Sequence, residues 1–293
     1  MTTAKPARGL IALLRLPYWL MTGGLSLLTA FAISKNPLSL SVQTILLIFF
    51  SMAFITSAGF AINDYFDRES DAVIKPKRPI PSGALSLKQV VAISGVLFAV
   101  GLIMALYVNW LSFAIIAADS ILLLVYSTLV KRNSGFMANI LVGILTGTAF
   151  VYGEATISNT VSLISLSLYP IAFGTIGGNV LRDILSLDGD SKTGYPTLPQ
   201  KIGISRSTKV SALFFSLTGV LAPLPYFLGN FSVYYLVPIL LWSLLLIYSS
   251  IRLVTSASTV SNVRRYERIV TMSMILLPLA LIIQALSSMG GVL

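Results

Sequence analysis

The sequence predicts an all-α, polytopic membrane protein built as a bundle of nine transmembrane helices. Residues of the AVILMFWYC set make up 56% of the 293-residue chain and charged residues only 10%, whereas soluble domains carry about 25% charged residues. Nine apolar segments are long enough to cross a bilayer. When these segments alternate in direction, nearly all basic residues fall on one side of the membrane.

The nine spans are predicted to be helices because backbone groups in lipid must find hydrogen-bond partners within their own segment. A helical span takes roughly 17–25 apolar residues. Short links at Asn109 and at Gly229–Asn230 indicate antiparallel hairpins, and residues 1–293 are predicted to form a single domain. The predicted spans cover residues 10–33, 41–62, 88–108, 111–130, 136–153, 161–181, 208–228, 232–253 and 269–289.

The distribution of basic residues supports this number of spans. Nineteen of the twenty Lys and Arg residues fall on the side of the N-terminus, and Lys35 is the exception. Removing or adding a span in the middle of the chain would destroy this asymmetry. Because cytoplasmic loops retain positive charge, we expect a multi-pass protein of the cell membrane. Its N-terminus and acid-rich loops are predicted to be cytoplasmic and its C-terminus to be outside.

The composition also limits the chemistry. The chain contains no cysteine and no histidine, which excludes disulfides, thiol nucleophiles, imidazole catalysis and metals bound by Cys or His. Any metal ion must therefore be a hard cation with oxygen ligands. The net charge of +10 is explained by the membrane topology and by attraction to anionic headgroups or a phosphorylated substrate. We therefore infer no nucleic-acid partner.

The first acid-rich loop, residues 63–87, follows the second span without a helix breaker before Pro76. If the helix continues, Asn63, Asp67 and Asp71 lie at i, i+4 and i+8 on one face. Carboxylates at this spacing repel each other, and a divalent cation would turn that repulsion into binding. Mg²⁺ commonly takes one or two carboxylates together with phosphate oxygens and water. The spacing therefore predicts a magnesium site.

The Pro-rich run after these acids ends the helix and presents three cations, Lys75, Lys77 and Arg78, beside them. Asp64 and Glu69 lie off the main face, and we interpret them as solvent-facing or salt-bridge residues. The simpler alternative, a solvated charged surface, is open for either acid-rich loop taken alone.

The second acid-rich loop, residues 182–207, follows the sixth span and resembles the first. Each has acids, then a lysine, then a Gly- and Pro-rich exit. Asp183 and Asp190 are seven residues apart and share a face if the helix persists, although Gly189 and Gly194 leave its end uncertain. We expect the two acidic clusters to face each other across the bundle and to bind two or more Mg²⁺ ions bridged by a diphosphate.

Eight of the ten acids lie on the basic side of the membrane, and the two exceptions are Asp119 and Glu154. Asp119 falls in the middle of an apolar span, where intramembrane charges are commonly functional. A buried hydrogen-bonding role is equally compatible with the sequence. Glu154 is interpreted as the far-side end of a helix.

Together these residues describe a hard-metal, phosphate-binding site at the mouth of a lipid-accessible bundle. Such a site suits a substrate with a diphosphate head group and a hydrophobic tail. Metal and cationic side chains would neutralise a departing diphosphate, tyrosine rings would shelter an allylic carbocation, and a nucleophilic acceptor would be prenylated.

The motifs resemble those of the UbiA-type intramembrane prenyltransferases, whose members have nine transmembrane helices, and the resemblance spans roughly residues 10–290. Asn63-Asp64-x-x-Asp67-x-x-x-Asp71 is similar to the first signature of that family, and Lys75-Pro76-Lys77-Arg78-Pro79-Ile80-Pro81-Ser82-Gly83 to its sequel. The middle motif is similar to Tyr126-Ser127-x-x-x-Lys131 with Gly135 and Asn139. The second signature is similar to Asp190-x-Lys192-x-Gly194-x-x-Thr197-Leu198-Pro199.

The resemblance implies roles for these residues with Mg²⁺, an isoprenyl diphosphate and a lipid-soluble acceptor. The metal ligands would be Asn63, Asp67, Asp71, Asp183 and Asp190. The catalytic residues would be Asp67, Asp71, Asp190, Lys131 and Tyr126, the last facing the allylic cation. Substrate would be bound by Asn63, Arg78, Lys75, Arg132, Lys192 and Arg182.

Within the family, the elements Arg78-Pro79-Ile80-Pro81-Ser82-Gly83, Tyr126-Ser127 and Thr197-Leu198-Pro199 resemble those of members that transfer a geranylgeranyl group to the hydroxyl of geranylgeranylglyceryl phosphate in archaeal-type lipid synthesis. The second signature departs from the family pattern, because Ser186 stands where an acid is usual and Asp183 or Asp188 would substitute for it. Gly178-Asn179 also replaces an expected Arg-Glu pair. Three alternatives stay open: an aromatic acceptor such as 4-hydroxybenzoate, a secondary transporter, and a non-catalytic scaffold or lipid-binding protein.

Overall fold

The computed structural model describes residues 4–289, and within that range it contains nine helices long and apolar enough to cross a membrane. The predicted all-α fold with nine spans is therefore confirmed for the described part of the chain. Spans 1 to 9, as numbered below, run over Pro6–Ile33, Val42–Phe66, Leu87–Val108, Trp110–Asn133, Gly135–Ser158, Leu163–Leu185, Ile204–Phe227, Val233–Thr255 and Val260–Met289. The predicted external C-terminus at 290–293 lies outside the described residues.

Several spans are interrupted by short changes of helical geometry. Span 1 contains the helix Ala4–Leu14, a turn, the helix Pro17–Trp19, a π-helical segment at Leu20–Gly24 and the helix Leu25–Ile33. A 3₁₀ turn at Pro37–Ser39 leads to span 2. Span 4 consists of the helix Trp110–Val125, a π-helical segment at Tyr126–Val130 and the helical turn Lys131–Asn133, and span 6 of Leu163–Leu168, a 3₁₀ segment at Tyr169–Ala172 and Phe173–Leu185. Span 7 consists of Ile204–Leu221 and Leu224–Phe227, and span 9 of Val260–Ser273 and Leu276–Met289.

The spans close into a ring, because span 9 packs against span 1 while span 5 contacts spans 1, 4 and 6. Close packing uses small residues, as is usual between membrane helices. A Cβ added to Gly147 would lie 2.6 Å from the Tyr169 ring, so this glycine lets span 6 approach span 5. Hydroxyl groups add bonds between spans: Ser94 donates to the carbonyl of Ala58 at 2.9 Å.

Both acid-rich loops contain short helices, in agreement with the helical spacing of their acids. The first contains the helix Arg68–Ile74, here called the first surface helix. The second contains the helix Leu187–Thr193, here called the second surface helix, and the short helix Leu198–Ile202. Both surface helices lie at the end of the bundle where spans 2 and 6 end, and they contact each other.

The last span begins earlier than the hydropathy pattern predicts. It starts at Val260 rather than at 269, so Arg264, Arg265 and Arg268 are helical residues and not part of a loop. These side chains are exposed. A helix can begin before the lipid does, whereas a hydropathy window registers only its apolar part.

Asp119 and Glu154 each join neighbouring helices. Thr148 on span 5 donates to Asp119 on span 4 at 2.7 Å, and Asp119 is buried. Glu154 at the far end of span 5 accepts from the backbone N–H of Ser162 at 2.9 Å and from the Ser165 hydroxyl at 2.5 Å. Glu154 thus satisfies donors at the start of span 6, where unpaired N–H groups need acceptors.

The orientation of the bundle can be tested with cysteine variants, because the chain has no cysteine of its own. Ser39 and Ser205 are exposed at opposite ends of the bundle. With the basic end in the cytoplasm, Ser39→Cys is expected to react with an impermeant maleimide in intact cells, and Ser205→Cys only after the membrane is permeabilised. The reverse labelling pattern would contradict a cytoplasmic basic end.

Candidate active site

A row of polar side chains lies where span 2 passes into the first surface helix. Asp67 joins the two helices with φ −86° and ψ 0°, yet helical bonding continues through it. Its N–H bonds the carbonyl of Asn63 at 2.8 Å, and the N–H of Asp71 bonds the carbonyl of Asp67 at 2.8 Å. Asn63, Asp67 and Asp71 therefore share a face, and all three are buried, with 8%, 6% and 4% of their surface exposed. We call these three residues the carboxylate row.

Asp67 is held by donors from three different segments. The ammonium of Lys131 on span 4 forms an ion pair with it. The Asn63 amide donates to Oδ2 at 2.7 Å, and the Tyr195 hydroxyl, from the loop after the second surface helix, donates to Oδ1 at 2.5 Å. Burial alone would raise the pKa of Asp67, but the Lys131 charge and these hydrogen bonds outweigh it and hold the pKa below its usual value. Asp67 is therefore an anion.

Tyr195 joins the two acid-rich segments. Besides its bond to Asp67, its hydroxyl lies 3.3 Å from the Ser70 hydroxyl on the first surface helix. The Lys131 Nζ lies 4.9 Å from the centre of its ring. Burial and the hydrogen bond to Asp67 raise the pKa of Tyr195 above its usual value, so the hydroxyl stays protonated and continues to donate.

Asp71 and Asp64 are neutralised by arginines. Arg78 donates to Asp71 at 2.5 Å and to Asp64 at 2.7 Å, and Arg15 on span 1 donates to Asp64 at 2.6 Å. The turn that follows Lys75 directs Arg78 back to the row, with the Arg78 N–H bonded to the Lys75 carbonyl at 2.9 Å. Asp64 is thus a salt-bridge residue, but a buried one.

Lys131 reaches the row because span 4 changes its winding just before it. The segment Tyr126–Val130 is π-helical, and Lys131 follows directly. A π-helical turn contains an extra residue, which rotates the following side chains relative to an α-helix, and such turns are frequent at functional sites. Tyr126 stands at the start of the turn, within electrostatic range of Asp67 and Asp183.

The second acid-rich segment repeats the backbone of the first. Span 6 ends at Leu185, Ser186 takes φ −103° and ψ 6°, and a seven-residue surface helix follows. Helical bonding again continues, from the Asp190 N–H to the Ser186 carbonyl at 3.0 Å. Ser186 therefore occupies the position that Asp67 has in the first segment, and Asp190 the position of Asp71. Gly194 ends the surface helix in a left-handed conformation, with φ 72°.

The acids of the second segment are less buried than the carboxylate row. Asp183 accepts from the Asn139 amide on span 5 at 2.8 Å and is half-buried. Asp190 accepts from the Ser186 hydroxyl at 2.5 Å and lies within electrostatic range of Asp183. Asp188 is exposed. Of the two candidates to replace the missing acid, Asp183 therefore faces the bundle and Asp188 faces solvent.

The other predicted substrate-binding residues are more exposed than the row, and Lys75 follows Asp71 by one helical turn. Lys75 is exposed. Arg182 points outward, where it bonds the Asn179 side chain at 3.0 Å and approaches Glu267 at 3.8 Å. Arg132 and Lys192 are exposed beside the surface helices.

Sequence reasoning missed Arg15, Tyr195 and Asn139 as site residues. Arg15 adopts φ 50° between two helices of span 1, a conformation uncommon outside glycine and Asn, and this strain marks a special position only once the structure is known. Tyr195 stands within the second signature, and Asn139 within the middle motif. Their partners are remote in sequence, so spacing gave no signal for either contact.

The residues of the row fit a magnesium ion. Asn63 Oδ1 is buried without a hydrogen-bond partner in the described part of the chain, so one oxygen next to Asp67 is available to a cation. Within residues 4–289 no three acidic side chains converge on one point. This donor set suits a hard cation that takes its remaining ligands from phosphate oxygens and water.

The match to a family model defines the class of protein. The model of the UbiA prenyltransferase family matches residues 20–277. The chain therefore belongs to the UbiA prenyltransferase family, and it is a prenyltransferase. Membership in this family favours an enzyme over the transporter and scaffold alternatives.

Two relatives indicate which members of the family this chain resembles. Digeranylgeranylglyceryl phosphate synthase of Natronomonas pharaonis is 37% identical over 232 residues, covering 78% of this chain and 82% of the relative. The enzyme of that name from Methanocaldococcus jannaschii is 30% identical over 259 residues, covering 88% and 90%. The chain is thus similar to digeranylgeranylglyceryl phosphate synthases over most of their length.

Solved structures share the fold. A digeranylgeranylglyceryl phosphate synthase is similar with a TM-score of 0.82 at 26% identity, covering 96% of this chain and 99% of that chain. A UbiA homologue from Archaeoglobus fulgidus, solved bound to GPP and Mg²⁺, has a TM-score of 0.66 at 20% identity, covering 94% and 99%. The nine-span bundle is thus the fold of these proteins.

The buried ion pairs of Asp64 lead to a stability prediction. Asp64→Asn leaves Arg15 and Arg78 without their shared carboxylate, and breaking a partly buried pair costs on the order of 2 kcal/mol. We expect a lower unfolding temperature in detergent without magnesium. Glu69→Gln is the matched control, because the pair of Glu69 with Arg68 is exposed and such pairs contribute about 0–1 kcal/mol. Equal unfolding temperatures for both variants would contradict a structural role of Asp64.

Proposed function

We propose that this prenyltransferase transfers a geranylgeranyl group from its diphosphate to the hydroxyl of geranylgeranylglyceryl phosphate, with Mg²⁺ as cofactor. The observation that carries this proposal is the buried carboxylate row with Lys131 and Arg78 in ion-pair contact with it. The named relatives at 30–37% identity support the choice of acceptor.

The donor diphosphate binds at the carboxylate row in this proposal. Asn63, Asp67, Asp71, Asp183 and Asp190 would hold the magnesium. When bound, magnesium supplies positive charge that stabilises the departing diphosphate. Lys131 and Arg78, which neutralise the acids in the structure, bind phosphate oxygens when the donor is present. Isoprenyl diphosphate and Mg²⁺ occur together in the related structures from Archaeoglobus fulgidus, which carry DMAPP or GPP.

The reaction is a substitution at the allylic carbon C1 of the donor. The bond between C1 and the diphosphate oxygen breaks, and its electron pair stays on that oxygen. Tyr126, in the π-helical turn just before Lys131, presents its ring to the positive charge that develops on the allyl group. The acceptor oxygen then bonds to C1, and the hydroxyl proton passes to the departing diphosphate.

The membrane position of the site suits both substrates. The acids lie at one end of the bundle, whereas the spans below them are apolar. The diphosphate therefore reaches a polar mouth while the isoprenoid chain stays in a medium without water, which protects an allylic cation from hydrolysis. In our proposal this mouth faces the cytoplasm, because the basic residues lie on the same side.

Removing one carboxylate of the row tests the proposal. Asp67→Ala and Asp71→Ala are each expected to lower kcat by at least 10³-fold while the protein remains folded, because the transition-state charge loses its support. The measurement is transfer of radiolabelled geranylgeranyl to the acceptor at several Mg²⁺ concentrations, with far-UV circular dichroism as a folding check. Glu69→Ala is the control variant and should keep wild-type turnover. Wild-type rates in either Asp variant would overturn the metal assignment.

The same assay separates the two acceptor classes. We expect wild-type membranes to consume geranylgeranyl diphosphate with geranylgeranylglyceryl phosphate and not with 4-hydroxybenzoate. Products formed only from 4-hydroxybenzoate would replace the lipid acceptor by an aromatic one, and the metal chemistry would stand.

Ser186 offers a complementary gain of function. It matches Asp67 in the repeated backbone and already bonds Asp190. We expect Ser186→Asp to retain activity and to lower the Mg²⁺ concentration for half-maximal rate by about 3-fold, because an added carboxylate ligand strengthens magnesium binding. A magnesium titration of the rate measures this change, with Ser191→Asp, on the same surface helix, as control. A complete loss of activity in Ser186→Asp would show that this position tolerates only a small side chain.

A further inference from the structure

A cavity of about 490 Å³ opens beside the carboxylate row, on its outer side. It lies between the two surface helices and the end of span 4, and it is lined by Phe66, Glu69, Ser70, Arg132, Lys192 and Tyr195, among others. Its volume is in the range of small-molecule sites, about 300–1,000 Å³. We call it the outer cavity.

Two cationic side chains, Arg132 and Lys192, line the outer cavity. Arg132 stacks over the Phe66 ring at 5.6 Å and reaches the Phe66 carbonyl only at 3.5 Å. In the described part of the chain, neither Arg132 nor Lys192 lies within ion-pair distance of a carboxylate. Glu69, at the rim, is paired with Arg68 at 3.1 Å instead. Two unpaired cations in one cavity favour a dianionic ligand.

The outer cavity adjoins the donor site without being part of it. Tyr195 forms the wall between them, because its ring lines the outer cavity while its hydroxyl donates to Asp67 at 2.5 Å. Ser70 lines the cavity next to the same hydroxyl. The cations assigned to the diphosphate, Lys131 and Arg78, are paired with the row and do not line the outer cavity.

We infer that the outer cavity binds the phosphate group of the acceptor through Arg132 and Lys192. This inference rests on the proposed function, whose acceptor carries a phosphomonoester next to the reacting hydroxyl. A phosphate held beyond Tyr195 places that hydroxyl toward the donor site, on the other side of the wall. The inference also gives a basis for discrimination, because an acceptor without phosphate leaves both cations unpaired.

Kinetics of charge-removing variants test the inference. Arg132→Gln and Lys192→Gln are each expected to raise KM for geranylgeranylglyceryl phosphate about 10-fold, with kcat and KM for geranylgeranyl diphosphate within 2-fold of wild type. Arg132→Lys should recover part of the loss, because it keeps the charge but not the guanidinium fork. The control is Arg206→Gln, which removes an exposed cation from span 7 at the same end of the bundle and should change neither KM.

A binding measurement without donor or turnover distinguishes the ligands. Isothermal titration in detergent compares geranylgeranylglyceryl phosphate with its dephosphorylated alcohol. We expect the phosphorylated lipid to bind wild type at least 10-fold more tightly, and the Arg132→Gln/Lys192→Gln double variant to bind both equally. Displacement by inorganic phosphate, but not by inorganic pyrophosphate at the same concentration, would further support a phosphomonoester site.

The outcomes separate this inference from the proposed function. Normal KM for the acceptor in both single variants, with wild-type transfer intact, would overturn the inference alone. A rise in KM for geranylgeranyl diphosphate instead would assign the outer cavity to the donor and also overturn it. If wild type transfers no prenyl group to this acceptor, the proposed function fails, and the binding measurement by itself decides whether the outer cavity recognises phosphate.

Discussion

The burial of three aspartates at one end of a membrane bundle is the constraint on which the rest of this structure depends. Charges removed from water are costly unless they are paired and hydrogen-bonded. Asp64, Asp67 and Asp71 are each almost fully buried. The protein meets the constraint with a matching set of donors, Arg15, Arg78, Lys131, Tyr195 and Asn63, that come from widely separated parts of the chain. Groups that neutralise carboxylates can also bind phosphate oxygens, so in our proposal the same arrangement serves the protein with and without substrate.

Three irregular parts of the bundle bring these groups to one place. The left-handed Arg15, the π-helical turn before Lys131 and the bend at Asp67 each depart from a straight helix next to the row. Local irregularity of this kind is common at functional sites. Spans 3 and 8, by contrast, are each one continuous helix and contribute none of the assigned ligands. Irregular backbone therefore accompanies the side chains that reach the row, although spans 6, 7 and 9 also have interruptions away from it.

Most of the fold followed from the sequence, because hydropathy and the one-sided distribution of bases are strong signals in a membrane protein. The face shared by Asn63, Asp67 and Asp71 also followed, because an i, i+4, i+8 spacing depends only on local helix geometry. The start of span 9 at Val260 did not, because its first turns are polar. Neither did the contacts of Tyr195 with Asp67 or of Arg15 with Asp64, which join residues 128 and 49 positions apart. Spacing patterns carry local geometry, whereas contacts between remote segments require the packed structure.

The two acid-rich segments share the same backbone course but differ in the burial of their acids. The first segment has an acid at its bend, Asp67, which is buried and fully bonded. The second has Ser186 at the equivalent bend and carries its acids nearer to solvent. A site with two equal clusters would hold its ligands symmetrically, whereas this one buries its acids on the first segment and, among the described residues, leaves Lys192 of the second without an ion pair. In our proposal this asymmetry fits two substrates that differ in kind: a diphosphate that would be held with magnesium between the two segments, mainly by the buried acids of the first, and a phosphate that is bound beside the second without reacting.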